Sequence, residues 1–120
     1  MGGTLICGGM FGVMEAACRG AKRNNGLTIG ILPGNDTSQC NSFVDIPIAT
    51  GMGDARNVII ARTADVVIAV AGEYGTLSEI AFCLKFEKPV IGLHTWPIDS
   101  KIITATDAED AVKKAFQSMR

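Results

Sequence analysis

Three short stretches of the chain combine residue types and spacings suited to holding an anion. The first is Gly8-Gly9-Met10-Phe11-Gly12-Val13-Met14. An apolar run enters it and a helical pattern leaves it. Glycines there permit positive φ and let backbone N–H groups approach a ligand closely, and a helix N-terminus adds favourable partial charge. The second is Ala71-Gly72-Glu73-Tyr74-Gly75-Thr76-Leu77-Ser78-Glu79. Here the amides of Gly72, Gly75 and Thr76 and the Thr76 hydroxyl are suited to a phosphate. Glu79 is expected in the first turn of the following helix, facing back toward the loop. The third is Arg56, next to the Gly51-Met52-Gly53 turn, where a guanidinium can clamp a phosphate or carboxylate through two N–H groups. Each has a plainer reading. The first loop could be a tight turn, Glu79 a partner of the helix dipole, and Arg56 a solvated cation. Together they describe backbone amides at the Gly72–Thr76 bend around an anion, with Arg56 leaning in.

The elements that must position these residues follow from hydrophobic period. Thr4–Cys7 reads as a buried strand, and a helix follows from Gly12 to about Asn24, with Val13, Met14, Ala17, Cys18 and Ala21 inward. Asn24-Asn25-Gly26 suits a left-handed helix end. Leu27–Leu32 is a second strand, stopped by Pro33-Gly34, and residues 35–42 form a polar loop. Val44, Ile46 and Ile48 alternate with polar or small residues, but Pro47 restricts this strand to a sheet edge. Asp54 is a candidate N-cap for a helix reaching Thr63. Residues 65–70 hold the clearest apolar run and read as a central buried strand. A helix over Thr76–Phe86, a strand over Val90–Leu93, a small strand near Ile102-Ile103 and a last helix with capping-box spacing at Thr106–Glu109 complete the chain. Alternating strands and helices predict a Rossmann-like α/β fold, a three-layer parallel sheet flanked by helices, in a single domain over residues 1–120.

The stretches G-G-M-F-G-V-M-E-A-A, T-G-M-G-D-A-R-N and G-E-Y-G-T-L-S-E-I-A resemble, in that order, the "lysine decarboxylase-like" superfamily. It includes the Lonely Guy phosphoribohydrolases and the molybdenum cofactor carriers. The likeness runs roughly from Leu5 to Trp96, and L-T-I-G-I-L-P-G, K-P-V-I-G-L and Ala55-Arg56-Asn57 are most similar to the carrier branch. The resemblance implies a homodimer or higher homo-oligomer and a small phosphate-bearing ligand, either molybdopterin in the molybdenum cofactor or a nucleoside monophosphate. It calls for no resident cofactor and assigns ligand contacts to Gly8, Gly9, Gly12, Met14, Gly72, Gly75 and Thr76. If the chain is an enzyme, the resemblance implies hydrolysis of an N-glycosidic bond, with Arg56 and Glu79 where the catalytic arginine and glutamate fall. A carboxylate there suits an oxocarbenium-like transition state. The chain departs from the hydrolases at two places. Ala71-Gly72-Glu73 replaces Pro-Gly-Gly, and Arg56-Asn57 replaces Arg-Lys. Glu73 sets a like charge beside a phosphate loop, which favours binding over hydrolysis. Lysine decarboxylation is not expected, since no lysine sits in such a loop. Relatives carry a strand and helix ahead of the segment matched by Gly3, so the fold is expected to lack that first pair.

Composition narrows the classes further. The 120 residues carry 11 basic and 12 acidic side chains, a net charge of −1, and no basic stripe. Nucleic-acid binding is therefore not expected. No apolar run approaches a membrane span of about 20 residues, and no basic leader precedes the first strand. A cytoplasmic protein with reduced cysteines is expected. Cys7, Cys18, Cys40 and Cys83 form no C-x-x-C pair, and a single histidine, His94, gives no metal-ligand set.

Overall fold

The computed structural model describes residues 2–119. Its contacts divide the chain into two compact units, one ending at Ile60 and the other beginning at Ala61. Among the described residues no helix is long and apolar enough to cross a membrane.

The first unit holds β1 (Leu5–Cys7), α1 (Val13–Arg23), β2 (Thr28–Leu32) and β3 (Ile46–Ala49), then a single 3-10 turn (Gly53–Ala55) leading into α2 (Arg56–Thr63), whose residues from Ala61 onward count with the second unit. The strands form a parallel sheet in the order β1-β2-β3, with Leu5 opposite Thr28 and Ile31 opposite Ile48. β2 lies in the middle, and its Ile31 and Leu32 are buried. Pro47 lies on the outer strand β3, where its missing N–H costs no ladder bond to a third strand. At the end of α1, Asn25 adopts φ 59° and Gly26 N–H donates to Ala21 O at 2.8 Å. This is the left-handed ending expected from the Asn-Asn-Gly sequence.

The inward stripe expected on α1 is narrower than its period implies. Cys18 is fully buried, while Val13 is 55% exposed and Ala17 is also exposed. Asp54 is not an N-cap either. It lies inside the 3-10 turn, whose preceding residue is Met52 and which has no side-chain cap.

The second unit holds β4 (Val67–Val70), α3 (Tyr74–Lys85), β5 (Val90–Leu93), β6 (Ile103–Thr104) and α4 (Ala108–Ser118). Its parallel sheet runs β4-β5-β6. β5 is buried along its whole length. Val90 packs with Ile80 and Cys83 of α3, whereas Ile91 and Leu93 pack with Ala111 and Ala115 of α4. Successive strand residues face opposite ways, so α3 and α4 cover the two faces and give this unit three layers. β4 is an outer strand and its Ile68 is 36% exposed. The continuous apolar run at residues 66–70 had pointed to the central position that β5 occupies.

Two helix starts also differ from the sequence reading. α3 begins at Tyr74, because Glu73 is extended and serves as the N-cap position. α4 is capped by Asp107, whose Oδ1 accepts from Asp110 N–H at 2.8 Å, while Asp110 Oδ2 accepts from Thr106 N–H at 2.9 Å. The cap lies one residue along from the expected Thr106 and Glu109, and the returning Asp110 carboxylate reaches the N–H of Thr106, one residue before the N-cap, rather than that of Asp107 itself.

Candidate functional site

In the first unit the candidate residues gather where β1 gives way to α1. Gly12 takes φ 73° and precedes α1 with no side chain capping the helix. Arg56, half-buried at the start of α2, places Nη1 2.6 Å from Gly8 O and 2.8 Å from Ile31 O. It thereby ties together the carboxyl ends of β1 and β2. This packing requires glycine at position 8. A Cβ there would lie 2.7 Å from Arg56 Nη1 and 2.6 Å from Met14 Sδ. Arg56 Nε is buried without a hydrogen-bond partner. Among the described residues of this unit, no carboxylate lies within ion-pair distance of the guanidinium; the ion pair here is Lys22 with Asp45. The Arg56 cation lies close enough to the end of β1 to oppose the rise that burial gives the pKa of the Cys7 thiol.

A residue that sequence reasoning passed over holds this loop from the other side. Asn41 is 3% exposed. Its Nδ2 donates to Met10 O at 2.7 Å and Gly9 O at 3.2 Å, and its backbone N–H donates to Gly9 O at 2.9 Å. The carbonyls of Gly9 and Met10 are thus fixed toward Asn41. Its only sequence signal was a polar side chain within a polar loop.

In the second unit the loop after β4 is built on unusual backbone angles. Ala71 takes φ 45° and Gly72 φ 111°. A Cβ at Gly72 would collide with the Thr76 side chain, so the position demands glycine both for its angle and for space. Thr95 Oγ1 donates to Ala71 O at 2.7 Å, and Trp96 Nε1 donates to Glu73 O at 3.2 Å. Trp96 stacks on Tyr74 with ring centroids 6.1 Å apart. Gly75 and Thr76 fall within the first turn of α3, which has no side-chain cap. Because α3 starts earlier than expected, Glu79 sits in its second turn and the first turn holds no acid, which weakens the dipole reading. Glu79 is half-buried and hydrogen-bonded or otherwise engaged. Burial pushes the Cys83 thiol up to about 11, and the Glu79 charge adds to the rise.

Arg56 and the first glycine loop belong to one unit, and Gly72, Gly75, Thr76 and Glu79 to the other. A cleft of about 380 Å³ opens elsewhere in the first unit, beyond the end of β2, lined by Pro33, Asn35, Asp36, Ser38 and Gln39 among others. No group of three or more His, Cys, Asp or Glu among the described residues is placed to hold a metal ion.

Parallel sheets with glycine-rich turns at strand carboxyl ends define a Rossmann-like α/β protein. The chain belongs to the SLOG cluster4 family, whose model matches residues 1–119. It is 54% identical over 117 residues to an uncharacterized protein of Archaeoglobus fulgidus, covering 98% of this chain and 77% of that one. Among solved structures it is similar to the molybdenum cofactor binding protein of the phototrophic bacterium Rippkaea orientalis. The TM-score there is 0.91, with 40% identity over 98% of this chain and 78% of the other. The molybdenum cofactor carrier protein of Chlamydomonas reinhardtii is similar at TM-score 0.87 and 41% identity, over 98% of this chain and 79% of that protein. The resemblance read from the three loops is borne out at the level of family and fold.

Proposed function

We propose that this chain binds and carries a small phosphate-bearing pterin or nucleotide in the cytoplasm, with the molybdenum cofactor as its cargo. The observation that carries the reading is the 40% identity to a molybdenum cofactor binding protein over 98% of the chain. Local chemistry supports it. Arg56 brings a cation, unneutralised by any carboxylate of its own unit, to the Gly8–Gly12 loop and Met14, and the Gly72, Gly75 and Thr76 backbone starts an uncapped helix. Backbone amides and a guanidinium are the donors a phosphate takes. Arg56 acts here through charge and by holding Gly8 and Ile31, since both Nη1 hydrogens are committed to carbonyls. The cargo supplies its own redox metal; the chain supplies binding and shelter. Self-association of the chain is part of the same reading.

The test is thermal unfolding and calorimetry with two probes, molybdenum cofactor released anaerobically from a molybdoenzyme and AMP. Stabilisation by the cofactor is expected, because a ligand bound to the native state raises apparent stability by mass action. Arg56→Ala is expected to weaken binding about tenfold or more, a loss of about 1.4 kcal/mol from the missing charge and the released Gly8 and Ile31 carbonyls. Release of adenine and ribose 5-phosphate from AMP, abolished in Glu79→Gln, would instead make the chain a hydrolase, and no response to either probe would sink both readings.

A further inference from the structure

Cys7 closes β1 and Cys18 lies in the second turn of α1, yet their sulfurs are 3.6 Å apart. The pair sits beneath the Gly8–Gly12 loop, which joins the two elements, and the function proposed above uses neither thiol. Cys18 has no exposed surface, whereas Cys7 is half-buried. We propose that Cys7 and Cys18 are a redox pair that closes to an intramolecular disulfide on exposure to peroxide, tying the end of β1 to α1.

Exposure assigns the roles. Cys7 is the thiol a small peroxide can reach. Its thiolate attacks one peroxide oxygen, the O–O bond breaks, hydroxide leaves, and Cys7 becomes a sulfenic acid. The Cys18 sulfur then displaces that oxygen. The S–S bond forms, the Cys18 proton leaves with the oxygen as water, and two thiols have lost two electrons to one peroxide. The geometry favours this second step over further oxidation, because the resolving sulfur is already in contact. Reaching a disulfide length needs a closing movement of about 1.5 Å. The movement stretches the bond from Gly9 N–H to Cys7 Sγ, now 3.3 Å. Arg56 and Asn41 hold the neighbouring carbonyls, so the strain passes into the loop. That consequence for ligand binding rests on the proposed function; the disulfide itself does not.

The environment makes the pair slow. Burial pushes the Cys7 thiol up to about 12, with the nearby Cys18 adding to the rise, while Gly9 N–H and the Arg56 cation act the other way. The reactive thiolate is therefore scarce at neutral pH, and the oxidation rate is expected to climb about tenfold per pH unit above neutrality. Cys40, on the loop after β2, has its pKa raised by burial and then by nearby Cys18, and is the competing partner.

The experiment treats the full chain with hydrogen peroxide at pH 8, blocks remaining thiols, and cuts after Glu15 and after Arg19 and Arg23, so that Cys7, Cys18 and Cys40 fall on separate fragments. Mass spectrometry is expected to show these fragments joined, less two hydrogens, and released by dithiothreitol. Cys40→Ser should give the same product, and Cys18→Ser should leave a Cys7 sulfenic acid that dimedone traps. Cys7 passing to sulfinic acid with no cross-link, or Cys18 joined to Cys40 in its place, overturns the proposal. The readout needs no ligand. Loss of the cross-link therefore refutes the redox pair alone, and failure of cofactor to bind the reduced protein refutes the carrier reading alone.

Discussion

Asn41 shows how much a glycine-rich loop at a strand end depends on a side chain outside it. Backbone carbonyls turned inward must find donors, because an unsatisfied buried polar group costs about 1–3 kcal/mol. Asn41 supplies donors to Gly9 O and Met10 O, and its Oδ1 accepts from Phe43 N–H at 2.9 Å. Asn41→Ala removes the side-chain donors and leaves Met10 O without this partner. A loss of about 1–3 kcal/mol is expected in urea unfolding, with faster amide exchange confined to residues 8–12. Asn41→Asp retains the acceptor for Phe43 but presents no amide to the two carbonyls, so it should rescue little. An Asn41→Ala protein as stable as the parent would show that these carbonyls find water at no cost.

At the scale of elements, Asp45 joins α1 to the β2-β3 edge. Its Oδ2 receives Lys22 Nζ at 2.8 Å, Thr28 N–H at 3.0 Å and the Thr28 hydroxyl at 3.2 Å. The Lys22 hydrogen bond, followed by the Thr28 N–H, holds this carboxyl below its usual 3.8. A carboxylate with a lowered native pKa contributes stability above its unfolded value and loses it as pH falls through the native one. Asp45→Asn is therefore expected to destabilise the protein at pH 6 and to differ progressively less from it below about pH 4. Denaturant midpoints across that range check the sign, and a gap that is constant with pH would assign the effect to packing rather than charge.

What the sequence disclosed at this scale divides along a physical line. Local signals were legible. The apolar runs of β2 and β5, the Asn-Asn-Gly helix end and the edge placement of Pro47 follow from residue type alone. Pairing order was not, so residues 66–70 were assigned the centre that β5 holds. The start of α3 was misplaced because a Gly-Thr pair resembles a helix start, whereas the φ of Gly72 and the extended Glu73 set it at Tyr74. The contact of Arg56 with Gly8 spans 48 residues, a relation that spacing cannot disclose, although the residue types at both ends were read as site residues.

At the scale of the whole molecule, the large apolar residues of α3 are occupied within the chain, whereas those at the start of α1 are available to a second copy. Phe82 and Phe86 are half-buried, stack on each other at 6.1 Å between centroids, and have the Arg62 guanidinium 4.1 Å above the Phe86 ring. That cation–π contact and the packing of Phe82 against the α3-β5 core already occupy them. Phe11 and Val13, each 55% exposed, are instead bare at the start of α1, where water gains nothing by contact with them. If copies of this chain associate through that region, burying either side chain is worth about 1.5–3 kcal/mol, or roughly a tenfold to hundredfold change in dissociation constant. Light scattering should then report a multiple of the 12.6 kDa chain, and Phe11→Ser with Val13→Ser should return it to a single chain with an unchanged circular dichroism spectrum. A parent protein that runs as one chain at tens of micromolar removes the proposal of self-association, and a double variant that still associates moves the interface away from α1.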